Sequence, residues 1–136
     1  MREFVRVIVI KNNKYLLIRE NKKGWFNGWI FPGGKVENKE SAETAALREL
    51  KEEINLNIDK TKLNLWYKTD CCFDSGEWRG YYFICTDCDL NELKIMEPNK
   101  CNGYCFFDYN ELKDIKIVVP QDIISKLETY DKTKNT

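Results

Sequence analysis

The sequence reads as a mixed α/β unit in which helices cover a sheet, and three observations carry that reading. "FVRVIVI" and "YLLIRE" alternate and are rich in β-branched residues, the pattern of paired strands. Leu47, Leu50 and Ile54 then recur at i, i+3 and i+7, one face of a helix of three to four turns. A further helical stretch, "PQDIISKLETY", opens with proline, which is tolerated at a helix start.

Each element follows in chain order. "NNK" between the first two apolar runs is a turn, so those runs form a hairpin. "NKKGWFNGWIFPGG" is loop-like, with a short strand over Trp29–Phe31. Ser41 is placed to cap the long helix, with Glu43 in its first turn. Asn55 closes it, where a left-handed residue is common and Asn stands in for Gly. "LNLWYKTDCCF" and "GEWRGYYFICTDCDL" flank "DSG" and read as a long hairpin. "GYCFFDY" is a short strand, "NELKDI" a helical turn, and "DKTKNT" a frayed polar tail. The expectation is one domain over residues 1–130, with a tail at 131–136.

Composition narrows the function. The formal net charge of zero argues against a general electrostatic grip on nucleic acid or an acidic membrane. No apolar run nears the roughly 18 residues of a membrane span, and the first residues carry charge where a secretion signal is apolar. The expected location is the cytoplasm. The chain has no histidine, so base catalysis falls to carboxylate, Lys or Tyr. Cys85, Cys88, Cys101 and Cys105 have a spacing faintly like a zinc site. A strand points residues three apart to opposite faces, which favours reduced, buried thiols instead.

The long helix poses the main question. Glu49, Glu52 and Glu53 sit at i, i+3 and i+4, late in a helix whose dipole favours acid at its start. Either the face is solvated surface or a cation sits on it. A hard divalent ion takes oxygen ligands and is shared with substrate phosphates. Arg48 is four residues before Glu52 and can hold it in place.

With Gly34, Glu40 and Arg48 included, the stretch Gly34–Leu56 resembles the Nudix box, G-x5-E-x7-R-E-U-x-E-E-x-G-U, where U is aliphatic. Asn55 replaces the second Gly, a change the left-handed backbone tolerates. The order of elements is similar to the Nudix α/β/α sandwich, a mixed sheet with the box helix and a C-terminal helix. The resemblance implies Glu52, Glu53 and Glu49 as metal ligands, with the Gly33 carbonyl beside them. It also implies Arg48 as a catalytic-site residue and Glu40 as a secondary acid. Mg²⁺ is the implied cofactor and Mn²⁺ a substitute.

"MEPNKC" resembles a segment of Nudix nucleoside triphosphate diphosphatases and makes Glu97 the acid from outside the box, with Asp74 and Glu77 as rivals. Lys35, Phe31 and Arg19 are substrate-binding candidates, Lys35 near phosphates. Phe31, Trp25 and Phe26 are either stacking residues for a base or core. The implied reaction is hydrolysis of a nucleoside triphosphate to monophosphate and pyrophosphate. Nucleotide-sugar or ADP-ribose hydrolysis, RNA cap hydrolysis and a non-catalytic nucleotide sensor are the alternatives. The expected state is a monomer or homodimer.

Overall fold

The computed structural model describes residues 1–22, 26–115 and 121–134. Its strands are β1 (Arg2–Lys11), β2 (Lys14–Lys22), β3 (Phe26–Ile30), β4 (Gly33–Lys35), β5 (Asn64–Phe73), β6 (Gly76–Cys85) and β7 (Cys101–Phe107). The α-helices are α1 (Ala42–Ile54), α2 (Tyr109–Asp114) and α3 (Gln121–Lys134), and a short 3₁₀ turn covers Lys60–Lys62.

The strands run β3-β2-β1-β6-β5, with β4 added to β1 and β7 to β2. β1 and β6 are parallel; the other pairs are antiparallel, so the sheet is mixed. The β1–β2 turn puts Asn12 and Asn13 at φ 52° and 63°. Asn tolerates that left-handed backbone, and positive φ at both central residues matches the twist of a hairpin.

Alternation along β1 explains why both faces are covered. Val5, Val7 and Val9 enter one core with Leu16, Ile18, Leu50 and Ile54. Ile8 and Ile10 enter the other with Tyr15, Leu17, Phe31, Leu112, Ile123 and Leu127. A strand buried on both sides reads as a continuous apolar run, as "VIVI" does. The result is an α/β/α sandwich, with α1 on one face and α2 and α3 on the other.

The long helix matches its expected start and stop. Ser41 accepts from the Thr44 N–H at 3.1 Å. Asn55 is left-handed, and its N–H returns to the Leu50 and Lys51 carbonyls. α2 is held by a capping box, in which Asp108 and Glu111 each accept from the other's backbone N–H.

Three details differ from the sequence reading. β4 is too short for periodicity to reveal; its pairing with Phe4–Arg6 defines it. α3 continues to Lys134, through most of the stretch read as tail, and buried Tyr15 donates to Asp131 at 3.1 Å in its last turns. The proline expected to open α3 lies outside the described residues. Third, Cys85 and Cys88 do not diverge: β6 ends at Cys85, and the chain bends so that both thiols enter the same core. The two thiols interact there, and burial opposes ionising either.

Candidate active site

Ala45, Ala46, Leu50 and Ile54 bury one side of α1, which leaves Arg48, Glu49, Glu52 and Glu53 on its flank. Arg48 organises that flank. Its Nε donates to Glu40 Oε2 at 2.7 Å and its Nη2 to Glu40 Oε1 at 2.9 Å, a bidentate pair. Nη2 also reaches the Lys35 carbonyl at 3.0 Å, tying α1 to β4. Nη1 donates to Glu49 at 3.0 Å and Glu52 at 3.2 Å. The arginine therefore offsets the repulsion between those two acids. It also keeps the Glu40 carboxyl below the ordinary carboxylate range.

Glu53 lies deeper. Its Oε1 accepts from the Gly33 N–H at 2.9 Å. Burial first, and the Glu49 charge second, push its pKa up to about 8, while Arg6 and the Gly33 N–H pull the other way. Burial also raises Glu49, against the pull of Arg48. The paired glycines make this packing feasible. A Cβ on Gly33 would collide with the Val5 carbonyl, and one on Gly34 would come within 2.5 Å of Glu49 Oε1.

Glu97 reaches the same place through backbone. The last carbonyls of a helix lack intrahelical partners. Here the Ile54 carbonyl accepts from Lys94 N–H at 3.0 Å and the Glu53 carbonyl from Met96 N–H at 2.9 Å. The Asn55 side-chain amide adds a bond to the Glu92 carbonyl at 3.0 Å. The β6–β7 connection thus hangs from the end of α1. Asn21 N–H meets the Lys100 carbonyl at 2.9 Å and ties the far end to β2. The Glu97 carboxylate pairs with Lys100 at 3.3 Å.

These groups surround a cavity of about 290 Å³. Of the candidates named from the sequence, Glu49, Glu52, Glu53, Glu97, Gly33, Lys35 and Arg48 line it. Asp74 and Glu77, the rival acids, are exposed on the β5–β6 hairpin and away from it. Arg19 is exposed on β2 and does not line it either, because its neighbour Glu20 takes the inward position. Phe31 is fully buried in the α3-side core, so its ring is structural and presents no face to a base. Trp25 lies outside the described residues; Phe26 begins β3.

The sequence reading missed Arg6 and Glu20, which also line the cavity. Glu20 is 6% exposed. The signal was present in both cases as a charge ending or interrupting an apolar strand. What a single strand cannot tell is which neighbour it faces.

The donor set suits a hard cation. Six carboxylates face four cationic side chains around the cavity, and carboxylate oxygens outnumber the one thiol, Cys101, among its donors. Among the described residues no three acidic or thiol groups already converge on one point. Arg48 and the Gly33 N–H hold the carboxylates instead.

The sequence pattern of the NUDIX domain matches residues 1–127. The chain belongs to the Nudix family. Among its Nudix relatives it is 44% identical over 106 residues to the ADP-ribose pyrophosphatase of Methanocaldococcus jannaschii, covering 77% of this chain and 60% of that protein. It is 41% identical over 58 residues to the 8-oxo-dGTP diphosphatase of Proteus vulgaris, covering 42% and 52%. The chain spans about half the length of the curated Nudix relatives it matches. In fold it is similar to the E. coli ORF135 protein, with a TM-score of 0.77 at 24% identity, covering 98% of this chain and 91% of that one. Among the described residues no helix is long and apolar enough to cross a membrane.

Proposed function

We propose that the chain is a metal-dependent Nudix hydrolase that cleaves the diphosphate linkage of a nucleoside triphosphate, giving monophosphate and pyrophosphate. The observation that carries this is the convergence of Glu49, Glu52, Glu53 and Glu97 with Lys35 and Lys100 on one cavity beside Gly33 and Gly34. Mg²⁺, or Mn²⁺ in its place, would be held by Glu49, Glu52, Glu53, Glu97 and the Gly33 carbonyl. When bound, such an ion lowers the pKa of water and neutralises phosphoryl charge.

The residues divide the remaining work. Arg48 holds Glu49 and Glu52 in their rotamers, and Glu40 holds Arg48. Lys35, Lys100 and Arg6 offer cations to phosphate oxygens. With no histidine in the chain, a carboxylate takes the proton of the attacking water. The water oxygen forms the new bond to one phosphorus of the diphosphate, and the bridging oxygen leaves with the other phosphorus.

The similarity to the Proteus vulgaris 8-oxo-dGTP diphosphatase supports a triphosphate substrate. The longer match to an ADP-ribose pyrophosphatase supports a second reading, hydrolysis of ADP-ribose by the same groups. A panel of nucleoside triphosphates and ADP-ribose with Mg²⁺, products resolved as pyrophosphate, phosphate or AMP plus ribose 5-phosphate, separates them. The expected result is monophosphate plus pyrophosphate, abolished by chelator. Phosphate as the only product, or ADP-ribose preferred over every triphosphate, overturns the assignment.

A further inference from the structure

One apolar row on β2 ends in an acid. Leu16, Ile18 and Glu20 are two apart and share a face of the strand, and the first two belong to the core beneath α1. Glu20 continues that row and is only 6% exposed. An apolar residue at this point would extend the core, whereas a buried carboxylate carries a desolvation cost. What the acid supplies in exchange is a pair of oxygens on the cavity wall.

Its neighbours leave that pair uncovered. On β3 the residue directly opposite is Gly28, which has no side chain to lay over it. On β7 the register with β2 shifts between Ile18 and Glu20, and Cys101 becomes its partner. Such an irregularity re-aims a side chain and is common beside active sites. Glu20 is near enough for its charge to act on Glu53 and on the Cys101 thiol, both of which share the cavity. Acids thus arrive from separate elements: Glu49, Glu52 and Glu53 from α1, Glu97 from the β6–β7 connection, and Glu20 from β2.

We propose that Glu20 is a further metal ligand of this chain, supplied by the sheet opposite the acids of α1. This rests on the metal-dependent reading of the cavity and deepens it. A hard divalent cation takes oxygens from around it, and the face of one helix offers carboxylates from one side only. Glu20 meets that need from β2. Its place at the end of a core row also fixes its backbone on a rigid strand, which holds a ligand more closely than a loop does.

The test is calorimetric titration of the metal-stripped protein with Mn²⁺ alone, beside thermal melts in chelator. Glu20→Gln should weaken Mn²⁺ at least about 10-fold, since even the partners behind metal ligands carry that much. Glu20→Asp keeps the charge but withdraws the carboxylate by one methylene, and should weaken Mn²⁺ at least about threefold, because a site tolerates little misplacement. Asp74→Asn removes an exposed charge on the β5–β6 hairpin and should stay within about twofold of wild type. Both Glu20 variants should melt in chelator within about 4 °C of wild type. Wild-type affinity in both overturns the ligand role alone. Equal weakening by Asp74→Asn overturns it too, because the effect would then be one of net charge. Loss of affinity that comes with a larger fall in melting temperature in both variants also overturns it, because the carboxylate would then act through the fold. Wild-type protein that takes up no Mn²⁺ overturns the metal-dependent reading as well.

Discussion

Arg48 and Glu40 show how a site is held by residues that need not touch substrate. Both side chains are largely shielded, at 22% and 12% exposure. The Glu40 carboxyl is pulled below its ordinary 4.5 mainly by its hydrogen bonds from Arg48. A group depressed on folding contributes stability above its unfolded pKa, and that contribution is lost as pH falls through the folded value. Glu40→Gln should therefore lower stability by about 1–2 kcal/mol at pH 7, with allowance for solvent at the rim. The gap between variant and wild type should close as melts are repeated below about pH 4.5. A gap that stays constant with pH would show that the pair does not carry the effect. The paired glycines separate fold from chemistry at the same scale. Gly33→Ala drives a Cβ into the Val5 carbonyl and should cost about 2 kcal/mol or more. Gly34→Ala displaces only the flexible end of Glu49, so thermal melts should change little while turnover falls at least about 10-fold. Equal effects of the two on melting temperature would contradict this division.

At the scale of the element, the end of α1 is both a stop signal and an anchor. The left-handed Asn55 was legible because helix ends favour Gly or Asn there. Its side-chain bond to the Glu92 carbonyl was not legible, since nothing local to "EEINL" tells which distant segment arrives. The same holds for Glu97: its motif named it, but backbone donors at Lys94 and Met96 deliver it. Asn55→Gly keeps the backbone geometry and loses one side-chain bond, so it should cost no more than about 1 kcal/mol. Asn55→Ala adds the left-handed penalty and should cost about 2 kcal/mol or more. Both should loosen the connection that carries Glu97, read as faster amide exchange at Lys94 and Met96. Unaltered exchange at those amides would show that Asn55 plays no part in anchoring it. β4 marks the limit of local reading, because three residues carry no period and only the edge of β1 defines it.

At the scale of the whole molecule, two cores clamp a sheet, and the acid cavity opens where β1, β2, β4, α1 and the β6–β7 connection meet. The layers were legible because the apolar periods are strong: alternation along β1 and helical spacing along α1. The strand order was not, because parallel pairing of β1 with β6 joins residues as distant as Arg2 and Trp78. That pairing leaves Phe31 inside and Arg6 on the cavity wall, which is why a ring beside the glycines proved structural and a charge in an apolar strand did not. Under the proposed function this assembly holds a cation against phosphates, and Glu53 is its deepest test. Glu53→Gln keeps an acceptor for the Gly33 N–H and replaces a carboxyl that burial and the Glu49 charge already hold mostly protonated at neutral pH, so the metal-free fold should be about as stable as wild type. Thermal melts with and without Mg²⁺, run beside one turnover assay on this variant, decide the matter. The expected result is a smaller Mg²⁺-induced rise in melting temperature and a rate at least about 10²-fold lower. A variant that keeps more than about half the wild-type rate, with the full Mg²⁺ response, would contradict it.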